Sequence, residues 1–274
     1  MMNVTYKIEH LTLQGKNEYA MRIFYRDILG LLEQQVAEHE FSYAFTASDQ
    51  PFLNILFGGV APAAQRGGLY HFAVLLPDTA SLAALVERLI RIQYPLGAGD
   101  HDVSEAFYLN DPDGNGIELY HDRPKESWYW DNGLVTMGTN DVDVRALLAQ
   151  KKDVWTGFPA GTTIGHVHFV GGDLAAGDHF FLELLGMDMT AAIADSAHFY
   201  SHNQYHHHHA YNTWLGSAVE MRQGDETGLV DWQVAVDENY FAMLRDQAIS
   251  QVVDETTLRI TDPFNNTLIV KKIN

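Results

Sequence analysis

No cysteine occurs in the 274-residue chain. That excludes disulfides, thiol catalysis and thiolate metal sites, and leaves histidine and carboxylates as the strong ligands for any metal. Positive charge is also scarce: 17 Lys and Arg stand against 36 Asp and Glu, a formal net charge of −19. A nucleic-acid or anionic-membrane surface needs a basic patch, so neither partner is expected. Apolar runs are short, and none approaches the ~18 residues of a membrane span. The opening MMNVTYKIEH lacks the basic-then-apolar order of a secretion signal. The expectation is a soluble cytoplasmic protein whose apolar content, 46%, suffices for substantial cores.

Histidine is what the chain has in plenty, 14 in all, four of them consecutive in YHHHHAYNTW (Tyr205–Trp214). Ordinary sequence flanks the run on both sides, so it is not a terminal tag. On a strand, successive side chains point to opposite faces. His206 and His208 would then share one face and His207 and His209 the other, so at most two could look into one cavity.

The chain is internally repetitive. HLTLQGKNEYAMRIFYRDILGL from His10 and HVHFVGGDLAAGDHFFLELLGM from His166 superpose without a gap, placing His10 on His166 and Leu29-Gly30 on Leu185-Gly186. Each reads as a strand followed by an amphipathic helix that ends at glycine. A second pair opens at HFAVLLPD from His71 and WQVAVDEN from Trp232. Each member continues into a helix and closes on a turn and strand, YLNDPDGNGIELY and RITDPFNNTLIV. Four strand–helix–strands modules thus begin near residues 10, 71, 166 and 232. Residues 1–122 carry two, 123–162 form a polar, Trp-containing connector, and 163–274 carry the other two.

With DPDGNGIELY as its most specific piece, this pattern resembles the vicinal oxygen chelate superfamily of glyoxalases, bleomycin resistance proteins and extradiol dioxygenases. YHFAVLLPD, the segment from DHDVS to YHDRP, and IGHVHF look most like the two-domain catechol-2,3-dioxygenase-like members. The resemblance implies an α+β fold of four βαβββ modules forming two cupped mixed-sheet units around a metal. In this family the ligands come from first and last strands of paired modules. That places His10, His71 and His166 at first-strand positions and Glu118 at a last-strand position. Trp232 is read at the place of His71 and Ile269 at that of Glu118, so module four supplies no ligand.

His71 and Glu118 therefore anchor the implied site. The third ligand is His10 if modules one and two pair, or His166 if two and three pair. Extradiol dioxygenases carry a catalytic acid/base in a His-His pair on a last strand, which maps to His207. A tyrosine ten residues before the glutamate ligand maps to Tyr108, and a substrate-holding histidine in DHDVS maps to His101. These positions meet only if modules two and three face each other; that pairing is favoured, with His10 as the fallback.

The chemistry implied is extradiol-type ring cleavage of a catechol- or hydroquinone-like aromatic with O2 at Fe(II), with Mn, Zn or Ni as other metals. A homo-oligomer is compatible with the sequence. SWYWDNG in the connector is expected to help close an aromatic pocket, and His168, two residues from His166, to lie beside that ligand. Tyr108 would otherwise be an ordinary core aromatic, and His101 a turn residue. A glyoxalase I-like isomerase or thiol transferase is the alternative on the same scaffold, although no second glutamate ligand is evident. A non-catalytic small-molecule binder is the third reading.

Overall fold

The computed structural model describes residues 4–273. Period-two alternation makes the strands. Module one contributes β1 (Tyr6–Gly15), α1 (Glu18–Arg22, continuing in π-helical form over Ile23–Leu29), β2 (Leu32–Ala37), β3 (Glu40–Ala44) and β4 (Leu53–Phe57). Module two contributes β5 (Gly68–Leu75), α2 (Thr79–Arg91), β6 (Gly97–Asp100), β7 (Ser104–Asn110) and β8 (Gly116–Asp122). In the connector, β9 (Trp130–Asp131) and β10 (Leu134–Val135) form a hairpin ahead of α3 (Val144–Ala149).

Module three contributes β11 (Thr163–Val170), α4 (Leu174–Asp178, continuing in π-helical form over His179–Leu184), β12 (Asp188–Ile193), β13 (Ala197–Ser201) and β14 (His209–Asn212). Module four contributes β15 (Gly228–Val236), α5 (Glu238–Arg245), β16 (Gln251–Asp254), β17 (Thr257–Thr261) and β18 (Thr267–Lys272). The helix of module one stops at Gly30, whose φ of 89° is the left-handed conformation a side chain disfavours. No helix among the described residues is long and apolar enough to cross a membrane.

Within every module the first strand lies parallel to the last, with the helix as crossover. Modules then meet first strand to first strand, antiparallel, as β1 with β15 and β5 with β11. Two eight-stranded sheets result, β16-β17-β18-β15-β1-β4-β3-β2 and β12-β13-β14-β11-β5-β8-β7-β6. Modules one and four share the first, two and three the second, so each half of the chain contributes to both sheets. The sheets join through one aromatic core, where Trp232 of β15 lies 4.9 Å from Phe169 of β11.

The register corrects one sequence alignment. Glu118 pairs with Tyr108 and Ala73, and Ile269 with Arg259 and Gln233, so Glu118 and Ile269 are equivalent. By the same ladder Asp231, not Trp232, stands at the place of His71. Trp232 matches Phe72, and both are fully buried. A one-residue slip exchanges the faces of a strand, and matching aromatic to histidine at the strand start hid it.

Candidate metal centre

The centre of the second sheet is a geometric consequence of strand pairing. Ala73 on β5 is flanked by Glu118 on β8 and His166 on β11, while His71 sits two residues back on the same face. Ala73 is fully buried, and its methyl group leaves the space above it open to the three longer side chains. A bulge between Ile164 and His166 breaks the β5–β11 ladder. It falls at Gly165, where a Cβ would come within 1.7 Å of the Tyr120 hydroxyl; glycine is required by that close approach.

His71 Nε2 and His166 Nε2 each lie 3.0 Å from Glu118 Oε2, and one donor atom from each residue falls within 4.8 Å of the others. All three side chains are buried. Burial alone would raise the Glu118 carboxyl, but the adjacent His166 and His71 imidazoles outweigh it and hold the group well below the usual carboxylate range. His71 is lowered, because burial exceeds the pull of Glu118. Its Nε2, though close to the carboxylate, is out of line for a hydrogen bond and has no other partner among the described residues. Two imidazole nitrogens and a carboxylate oxygen, buried and aimed at one point with one nitrogen unpaired, fit a divalent metal, which this trio could hold.

A cavity of about 350 Å³ opens over the trio. Tyr108 and His101 form one wall. The His101 Nδ1–H donates to the Gly138 carbonyl at 2.7 Å, which leaves Nε2 to accept from the Tyr108 hydroxyl at 2.6 Å. Burial, followed by the charge of Glu118, pushes the Tyr108 phenol well above its ordinary range. The DHDVS turn is tied to the connector, with Gly138 N–H donating to Asp102 Oδ2 at 2.7 Å. The connector's wall residues are Met137, Gly138 and Thr139. SWYWDNG closes no part of the cavity directly; Trp128 instead packs behind it, 5.1 Å from the His206 ring. The aromatic cover comes from Tyr70 and Trp214, which sequence reasoning did not single out.

The histidine run does not behave as a strand. Regular pairing starts only at His209, so Tyr205–His208 are free of the alternation expected of them. His207 lines the cavity with its ring 4.0 Å from that of His166. His206 turns to Asp122, its Nε2 lying 2.8 Å from Oδ1. His208 Nδ1 meets the Ser201 hydroxyl at 2.6 Å, and His209 Nε2 meets the Tyr6 hydroxyl at 2.7 Å. His168 is paired opposite His71 and accepts from Asn212 Nδ2 at 2.9 Å, which positions it beside the trio and outside it. His10 lies on β1 of the other sheet, away from the trio.

Comparisons with known proteins place the chain among its relatives. The family model described as Glyoxalase/Bleomycin resistance protein/Dioxygenase superfamily matches residues 7–119. A catechol-2,3-dioxygenase of Bacillus subtilis (strain 168) is 38% identical over 218 residues, 77% of this chain and 76% of the relative. Biphenyl-2,3-diol 1,2-dioxygenase 3 of Rhodococcus globerulus is 30% identical over 138 residues, 46% of this chain and 70% of the relative. Among solved structures, glyoxalase I from Zea mays shares the fold with a TM-score of 0.56 at 12% identity, covering 98% of this chain and 93% of that one.

Proposed function

The chain belongs to the glyoxalase/bleomycin resistance protein/dioxygenase superfamily, and on that footing we propose that it is a metal-dependent extradiol-type dioxygenase. It would cleave the ring of a catechol- or hydroquinone-like aromatic, with both atoms of O2 entering the product. The observation that carries this reading is the convergence of His71, Glu118 and His166 under a cavity that also holds His207 and Tyr108. The trio would hold the metal, and Fe(II) suits its two imidazoles and one carboxylate. Bound there, iron supplies Lewis acidity toward a catecholate and redox contact with dioxygen.

The chain's own residues do the rest. His207 has its one hydrogen bond among the described residues through Nδ1, which leaves Nε2 accessible to the cavity. That nitrogen takes a hydroxyl proton from the entering substrate and later returns it. Tyr108, anchored by His101, offers its oxygen to the second substrate oxygen. His101 orients this wall through its fixed bond to Gly138.

The lining also speaks to the substrate. No lysine or arginine is among the residues that line the cavity, while Val103, Leu109, Ile117, Ile193, Phe199 and Trp214 are. A carboxylated aromatic would be buried here without a counter-charge, which is costly; an uncharged catechol is the better fit. A glyoxalase-type site with four protein ligands has less support, because the described residues gather three such donors.

The test is anaerobic Fe(II) loading followed by oxygen-electrode assays with uncharged and carboxylated dihydroxybenzenes. Oxygen uptake with a ring-opened product from the uncharged members is expected. No uptake with any of them would overturn the reading.

A further inference from the structure

Asp122 closes β8, four residues beyond Glu118, and the sequence reading passed over it. Its Oδ1 lies 2.8 Å from His206 Nε2, and its Oδ2 accepts from the Tyr205 hydroxyl at 2.9 Å. The Tyr205 oxygen is in turn 2.8 Å from that of Tyr120. The His206 ring is fully buried, with Tyr205 at 4.1 Å and Trp128 at 5.1 Å. On its other edge, His206 Nδ1 lies 2.7 Å from His207 Nδ1. An unbroken line thus runs from a carboxylate through one imidazole to the next, ending at the cavity.

Only one proton fits between two nitrogens at that distance. A carboxylate only accepts, so the Nε2 of His206 carries a proton toward Asp122. If His206 is neutral, its Nδ1 holds a lone pair, and the shared proton belongs to His207. The opposite arrangement requires His206 to carry a proton on both ring nitrogens, one more than its contact with Asp122 calls for.

We propose that Asp122 and His206 are positioning residues that lock His207 in the tautomer protonated on Nδ1, so that Nε2 presents a lone pair to the cavity. This rests on the reading of His207 as the proton-handling group. A carboxylate that selects an imidazole tautomer is established chemistry in acyl transfer; here an intervening imidazole relays the selection. Tyr205 and Tyr120 hold the carboxylate's second oxygen and fix its direction.

The experiment is long-range 1H–15N correlation of histidine-labelled, metal-free protein, with the His207 signals assigned by their absence in His207→Gln. The expected pattern is a protonated Nδ1 and an unprotonated Nε2. Asp122→Asn is expected to move the His207 proton to Nε2 and, in the iron-loaded enzyme, to lower kcat about a hundredfold with KM nearly unchanged. Asp122→Glu should restore much of both readouts. A His207 protonated on Nε2 in the native protein would overturn the proposal without any variant. So would an unchanged tautomer in a folded Asp122→Asn protein. If the tautomer is as proposed but no dihydroxybenzene turns over, the relay stands and the dioxygenase reading falls.

Discussion

In one sheet His71, Glu118 and His166 surround Ala73; at the matched points of the other, Asp231, Ile269 and His10 surround Gln233. Tyr108 has Arg259 as its counterpart. The frameworks hardly differ. Both last strands are entered through the same turn, in which the Asp111 or Asp262 carboxylate accepts from the backbone N–H and side-chain amide of Asn115 or Asn266 at 2.7–2.9 Å. The turn is therefore a device of the fold, and the chemistry resides in a few side chains set on it. A histidine at the right place is not enough: His10 has the position of His166, yet faces a glutamine where His166 finds space over a methyl group.

The sharpest way to break this contrast is to exchange the carboxylate. Glu118→Gln is expected to abolish metal retention and turnover, whereas Ile269→Gln leaves both intact; elemental analysis after dialysis decides. Metal lost from the Ile269 variant would mean that the sheets are not independent in function. Next in size, His207→Gln should keep its metal and lose about 10²–10⁴ in kcat, measured in the iron-loaded enzyme.

Ala73→Leu tests the floor under the donors. With every ligand present, metal affinity is expected to fall about 10–100-fold, the scale on which supporting groups act, while Gln233→Leu changes nothing. A third pair should show little contrast. Asp111→Ala and Asp262→Ala each leave buried donors unpaired and are expected to cost about 1–3 kcal/mol in urea unfolding. Asp111→Ala should sit at the upper end, because Tyr25 also donates to Asp111 at 2.8 Å.

The last expected effect, confined to acid pH, concerns the seam between the sheets, where burial drives His202 down to about 4 and His209 to about 3 from an ordinary 6.5. Both bases are depressed in the folded state. The unfolded chain therefore takes up protons first as pH falls below about 6.5, and stability drops from there toward pH 3. In His209→Gln the slope of unfolding free energy against pH between 6.5 and 4 should be shallower than in the parent protein.

Much of this was legible in the amino acids. The repeat exposed four modules because strand–helix–strand periodicity survives divergence; His71, Glu118, His207, Tyr108 and His101 line one cavity, and His166 sits against Glu118 at its floor. Asp122 escaped notice because its partner is 84 residues away and nothing local marks a carboxylate at a strand end. Ala73 escaped for the opposite reason: its contribution is the side chain it lacks. Trp232 was misplaced because an aromatic at a strand start looks equivalent to the histidine one register away, and only the hydrogen-bond ladder separates them.

The pairing of first strands carries a consequence for how the chain is made. β5 finds its second neighbour only when Thr163–Val170 exists, and β1 its own only when Gly228–Val236 does. As the polypeptide leaves the ribosome, modules one and two must wait with an apolar strand edge unpaired, β1 for nearly the whole of synthesis. Such edges recruit other strands. Premature termination anywhere in the second half should therefore yield aggregates rather than a smaller folded protein.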